Sequence, residues 1–166
     1  MRGRPSLRSK ILGSLIGSAA GDAMGAATEA RTTEQILERF GHRVTDFETP
    51  PLDTFAAGSV AGQVTDDFSS AYFVIRSAVR NGGKVDENGV KAALVEWSEH
   101  EVFFDRFAGP TTRMAIERFK TGEEPSFRGI NLSSRQATNG AAMRIAPIGL
   151  LFPEVEIGRA SCRERV

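Results

Sequence analysis

The sequence predicts an all-α, multihelical domain. Three observations carry that reading: apolar residues recur at helical spacing, glycine and proline fall where helices would start or stop, and no alternating strand pattern reaches comparable length. The chain has 166 residues, 40% of them apolar, enough for one globular core of ordinary size.

The first helix is expected from Leu7, Ile11, Leu12, Leu15, Ile16, Ala19 and Ala20, as a buried element. Gly13, Gly17, Gly21 and Gly25 recur every four residues along it, a smooth stripe against which another helix backbone could pack. Thr32 can cap a second, short helix with Gln35 closing the box; it runs through Ile36, Leu37 and Phe40 to Gly41. From His42 to Val64 the pattern lapses into a long connection containing Pro50 and Pro51, of the kind that often carries function. The clearest helix follows, with Phe68, Ala71, Tyr72, Ile75 and Val79 on its expected buried face and Gly82-Gly83 as its stop. Another is expected around Val90, Ala93, Leu94 and Trp97. After Gly109, Pro110 can occupy a first helical turn, with Ala115, Ile116 and Phe119 facing inward. A last helix begins near Asn139 and carries Met143, Ile145 and Ala146, with Pro147 ending or kinking it.

Charge and composition exclude several classes. A net charge of zero and a pI near 6.8 leave no basic footprint for bulk nucleic-acid binding. Arg2, Arg4, Arg8 and Lys10 before the run from Ile11 to Ala27 superficially resemble a signal peptide or membrane span. Asp22 inside that run, and the glycines diluting it, argue against both readings. A cytoplasmic protein is the simplest expectation.

Residues 156–166, from Glu156 through Cys162 to Val166, have no apolar period and read as translated sequencing adapter. The natural part is therefore expected at 1–155, as part of a single domain. Cys162 is the only cysteine, so that part has no thiol for nucleophilic, ligand or disulfide work.

Several segments carry chemistry. Thr65-Asp66-Asp67 stands where a loop meets a helix. It reads either as a threonine N-cap with two acids complementing the helix dipole, or as converging hard oxygen ligands for magnesium. Glu29 follows Gly21-Asp22-Ala23-Met24-Gly25 by four residues and reads as a surface acid or a functional carboxylate. Asp22 reads as a buried acid satisfied by backbone donors or as a catalytic group. Gly109-Pro110-Thr111-Thr112-Arg113 is a second loop-to-helix junction, with free backbone donors suited to phosphate oxygens. Thr138-Asn139-Gly140-Ala141-Ala142-Met143-Arg144 is a third, where small side chains permit close backbone approach. His42 and His100 are isolated, and no serine-histidine-acid arrangement is visible.

In this order, the segments resemble the ADP-ribosylglycohydrolase family over roughly residues 10–153. The resemblance rests on the Gly-Asp-Ala-Met-Gly segment with Glu29, on Gly62-Gln63-Val64-Thr65-Asp66-Asp67, on Gly109 to Arg113, and on Asn139 to Pro147. It implies an all-α ADP-ribosylglycohydrolase-like fold, present here as its N-terminal half, with two Mg2+ ions in a central cleft and Mn2+ as an alternative. By that likeness Thr65, Asp66 and Asp67 bind metal, and Glu29 and Asp67 serve catalysis. Gly109, Pro110, Thr111, Thr112, Asn139, Gly140, Ala141 and Met143 would hold the phosphates and ribose of ADP-ribose.

The implied activity is hydrolysis of the glycosidic bond between ADP-ribose and a modified protein or small molecule. The family's other metal ligands come from an Asp-x-Asp-Thr type segment, and nothing after Asn139 supplies one. This fragment is accordingly expected to be inactive by itself. The alternative is a non-catalytic, ADP-ribose-binding or crystallin-like structural member, against which the intact Thr65-Asp66-Asp67 argues.

Overall fold

The computed structural model describes residues 5–123 and 140–151. Seven helices and no strand occur among them: α1 (Leu7–Gly25), α2 (Thr33–Phe40), α3 (Asp66–Arg80), α4 (Glu87–Ser98), α5 (Glu101–Phe107), α6 (Pro110–Thr121) and α7 (Gly140–Leu151). The all-α expectation holds. The chain divides into two compact units, one comprising residues 1–69 and 100–109 and the other 70–99 and 110–166.

The first unit contains α1, α2, the long connection, the first turn of α3, and α5. In α1, Ser6 caps the start, its hydroxyl accepting the Ser9 N–H. Contrary to expectation this helix is not buried. Only Ala23 is enclosed, while Leu7, Leu12 and Ile16 are each more than half exposed. No described residue packs against the glycine stripe. A Cβ added at Gly13, Gly17, Gly21 or Gly25 would meet nothing within 4 Å. The buried material instead follows the helix, at Ala26, Ala27, Ala56 and Phe107.

The second helix follows the sequence closely. The Thr32 hydroxyl accepts the Gln35 N–H at 3.3 Å, the Gln35 side chain accepts the Thr32 N–H at 2.9 Å, and Gly41 closes the helix at φ 75°. Both halves of a capping box are thus made, each satisfying a donor that the helix cannot.

Residues 42–64 have no helix or strand, as expected, but are held from a distance. Arg106 in α5 donates to Ala57 O at 3.3 Å and Ser59 Oγ at 3.2 Å, and the Phe55 and Phe107 rings lie 5.6 Å apart. Arg31 pairs with Asp53 at 2.8 Å. The short helix α5, which the sequence pattern does not reveal, is therefore what supports the loop leading to Thr65.

In the second unit Trp97 and Ala93 of α4 are fully buried and Ile116 of α6 is 1% exposed, as the periodicity required. Asp86 caps α4 by accepting the Gly89 N–H. Lys91 of α4 lies 5.6 Å above the Phe119 ring of α6. The buried face of α3 differs from the expected one. Ser70, Ala71, Phe73, Val74 and Ala78 are enclosed, while Tyr72 and Val79 are 46% and 66% exposed. The cause is the neighbouring helix: Ser77 Oγ donates to Gly89 O at 2.8 Å, and Arg76 and Arg80 both donate to Glu96. That turns the Ser77 side of α3 toward α4 and leaves Tyr72 outside, its ring under the Arg76 guanidinium. Of the two outcomes expected at Pro147, ending or kinking the helix, the first does not occur: α7 continues through position 147 to Leu151.

Candidate functional site

The start of α3 is built around a residue from another helix. Asp22, in the last turn but one of α1, reaches the junction where Thr65 precedes the helix. Its Oδ2 accepts the Thr65 N–H at 2.9 Å and the Phe68 N–H at 3.1 Å, and its Oδ1 accepts the Thr65 hydroxyl proton at 2.6 Å. The first N–H groups of a helix lack intrahelical acceptors, and Asp22 supplies one from 46 residues away in sequence from Phe68. Asp22 is part-buried rather than buried, and it accepts two backbone donors and one hydroxyl.

Thr65 is correspondingly buried, at 6% exposure. It is only in part the N-cap that the tripeptide suggests: its hydroxyl accepts the Asp67 N–H at a long 3.4 Å, and its carbonyl accepts from Ser69 N and Ser69 Oγ. The shorter capping bonds belong to Asp22. Asp66 and Asp67 occupy the first turn of α3, where negative charge complements the helix dipole.

Glu29 lies in the turn that follows α1. Thr28 N and Thr28 Oγ1 both donate to Gly25 O, and Arg31 N donates to Thr28 O, which closes the chain back on itself. Ala30 within this turn has φ 57°, the only positive φ of a non-glycine among the described residues. Desolvation, and then repulsion from Asp67 and Asp22, hold the Glu29 carboxyl above its ordinary value even though much of the side chain meets solvent. The structure thus brings Asp22, Glu29, Thr65 and Asp67 into one electrostatic neighbourhood within the first unit.

The preceding motif residues have structural reasons for their identity. Gly62 has φ 82°, and its missing Cβ would lie 3.6 Å from the Phe47 ring. Gln63 accepts the Val60 N–H at 3.4 Å, folding the last loop residues into a turn. Among the described residues no group of three or more His, Cys, Asp or Glu side chains closes into a metal-binding set.

The other candidate residues fall elsewhere. Gly109 ends the first unit, and Pro110, Thr111 and Thr112 open α6 in the second, a loop-to-helix junction as expected. Gly140, Ala141 and Met143 form the first turns of α7, whereas Asn139 lies outside the described residues. Sequence reasoning missed the part played by Arg144, which donates to Ser70 Oγ at 2.9 Å and to Gly140 O at 2.7 Å. It ties the start of α7 to α3; an arginine four residues into a small-residue helix start was the available signal. No helix among the described residues is long and apolar enough to cross a membrane.

Comparison with known proteins agrees with the motif order. The family model described as ADP-ribosylglycohydrolase matches residues 3–164. A protein of Escherichia coli (strain K12), named as uncharacterized protein YegU, is 29% identical over 96 residues, covering 57% of this chain and 28% of that protein. The matched part thus spans little more than a quarter of the length of this relative.

Proposed function

Because the chain belongs to the ADP-ribosylglycohydrolase family, we propose that it forms part of a magnesium-dependent hydrolase that releases ADP-ribose from a modified protein or a small-molecule conjugate. The observation that carries the reading is the concentration of carboxylates at the start of α3, where Asp67 and Asp22 repel the charge on Glu29. A divalent cation is the natural offset to such charge.

The donor set fits a hard cation on one side. Thr65 offers a hydroxyl and Asp66 and Asp67 offer carboxylates, the oxygen ligands that Mg2+ takes, while no thiol or imidazole belongs to the group. An Mg2+ ion requires about six oxygens, so these three residues supply one face of a site whose remaining ligands come from elsewhere. When bound, the metal would supply Lewis-acid orientation of the substrate ribose and a more acidic water.

The chain's own residues do the rest. Glu29, whose carboxyl is held above its ordinary value, accepts the proton of the attacking water as the glycosidic bond breaks, and that proton passes on to the departing group. Cleavage at the anomeric carbon develops positive charge on the sugar, which carboxylates facing it stabilise. Backbone N–H groups opening α6 and α7 bind the phosphates of ADP-ribose. At Gly109 the position a Cβ would take is open among the described residues, which leaves room for a ligand to approach the backbone.

The test joins this chain to the second half of a family member and follows release of labelled ADP-ribose from a modified protein and from a small conjugate. Release with Mg2+ that stops on chelation is the expected result. Equal release under chelation overturns the metal reading, and release from neither substrate overturns the hydrolase reading. Gly109→Val should weaken ADP-ribose binding in the same protein without lowering its thermal midpoint. Unchanged affinity by calorimetry would return this junction to a purely structural role.

A further inference from the structure

The hydrogen bonds around Asp22 define the direction of a proton. A carboxylate can only accept, and a threonine hydroxyl carries a single proton. At 2.6 Å from Asp22 Oδ1, the Thr65 hydroxyl directs its one proton at the carboxylate in a hydrogen bond, so Oγ1 has only lone pairs to offer any other partner. A threonine serving as N-cap spends a lone pair on the N–H three residues ahead. Here the Phe68 N–H goes to Asp22 Oδ2 instead, and the contact that Thr65 Oγ1 retains with Asp67 N is 3.4 Å long. Asp22 therefore relieves Thr65 of the stronger part of its capping work and fixes its hydroxyl as an acceptor.

We propose that Asp22 is a positioning residue that holds Thr65 Oγ1 as an obligate lone-pair donor for a divalent cation at the start of α3. The inference rests on the metal reading above and goes beyond it in assigning a task to a carboxylate that touches neither metal nor substrate. Its three acceptor contacts join the C-terminal part of α1 to the helix start, so the hydroxyl cannot turn without breaking a short, partly buried bond. Orienting partners of this kind are worth about tenfold or more in metal affinity.

Asp22→Asn is the discriminating substitution. It keeps the shape of the side chain but offers one acceptor atom where three donors converge, and its amide can donate to Thr65 Oγ1. The Thr65 proton would then point outward, toward the cation. The experiment titrates Mn2+ into the isotopically labelled joined protein, in which the second half of a family member completes the site, and follows paramagnetic broadening of the amides from Thr65 to Phe68. It uses wild type, Asp22→Asn, Thr65→Val, Thr65→Ser and the Asp22→Asn/Thr65→Val pair.

Broadening in wild type is expected, weakened about tenfold or more by Asp22→Asn and by Thr65→Val. Little further loss should appear in the pair, and Thr65→Ser should stay near wild type. An unchanged midpoint in Asp22→Asn overturns the inference, as do losses that multiply in the pair, since Asp22 would then act independently of the hydroxyl. If Asp22→Asn does not fold, the Thr65 variants decide: wild-type affinity in Thr65→Val shows that the hydroxyl is no ligand and ends the proposal. Absence of broadening in wild type is a different failure, overturning the metal reading and this inference with it.

Discussion

Glu29 binds its proton more tightly in the folded protein than in the unfolded chain, through desolvation first and then the charges of Asp67 and Asp22. Between the unfolded pKa, near 4.5, and the raised folded value the native state holds more protons, so stability falls as pH rises through that window. Glu29→Gln removes the ionisation. In metal-free protein its thermal midpoint should match wild type at acid pH and exceed it increasingly as pH rises through the folded pKa, then level off. A difference that is constant with pH would mean that neither desolvation nor the charges of Asp67 and Asp22 shift Glu29. Next to it, Ala30 at φ 57° occupies a left-handed conformation that glycine adopts without penalty. Ala30→Gly should therefore stabilise the protein by about 0.5 to 1 kcal/mol, after allowing for the added freedom of the unfolded chain. A lowered midpoint in urea would show that the turn carries no strain.

The helices differ in how far they could be read from sequence, and the difference follows the range of the interactions that form them. In α2 the capping box and Gly41 lie within the segment itself, so start, stop and cap are all legible. Thr32→Ala should cost about 1 kcal/mol in chemical denaturation, and an unchanged midpoint would show that the box contributes nothing. The face of α3 was misread because Tyr72 and Val79 fit a helical stripe as well as Phe73, Val74 and Ala78 do; the choice is made by Ser77 and Gly89, on different helices. Helix α5 has only seven residues, too few to show a period, and its importance lies in Arg106 reaching Ser59. In α1 the apolar spacing signalled a helix correctly but not burial, since Leu12 and Ile16 are open to solvent. Trp97 marks the opposite case, its spacing and its complete burial agreeing, and Trp97→Ala should cost about 3 to 5 kcal/mol.

Across the whole molecule, the residues that suggested chemistry divide between the two units. Glu29, Thr65, Asp66 and Asp67 belong to the first, and Pro110, Thr111, Thr112, Gly140, Ala141 and Met143 to the second. The tripeptide Thr65-Asp66-Asp67, by itself an ordinary helix start, was legible as a candidate ligand set because it falls in order among the other segments of the family pattern. Its dependence on Asp22 was not, because 43 residues separate Asp22 from Thr65 and no local pattern links them. The central claim is that these oxygens form one side of a metal-dependent centre for releasing ADP-ribose. It is tested most directly by Asp66→Ala and Asp67→Ala in the joined protein, comparing magnesium-dependent release of ADP-ribose with helical content by circular dichroism. Loss of ligands from a site that must orient both water and sugar should reduce turnover by about a hundredfold or more in each variant while the helical signal is kept. Wild-type turnover in both variants would contradict the account.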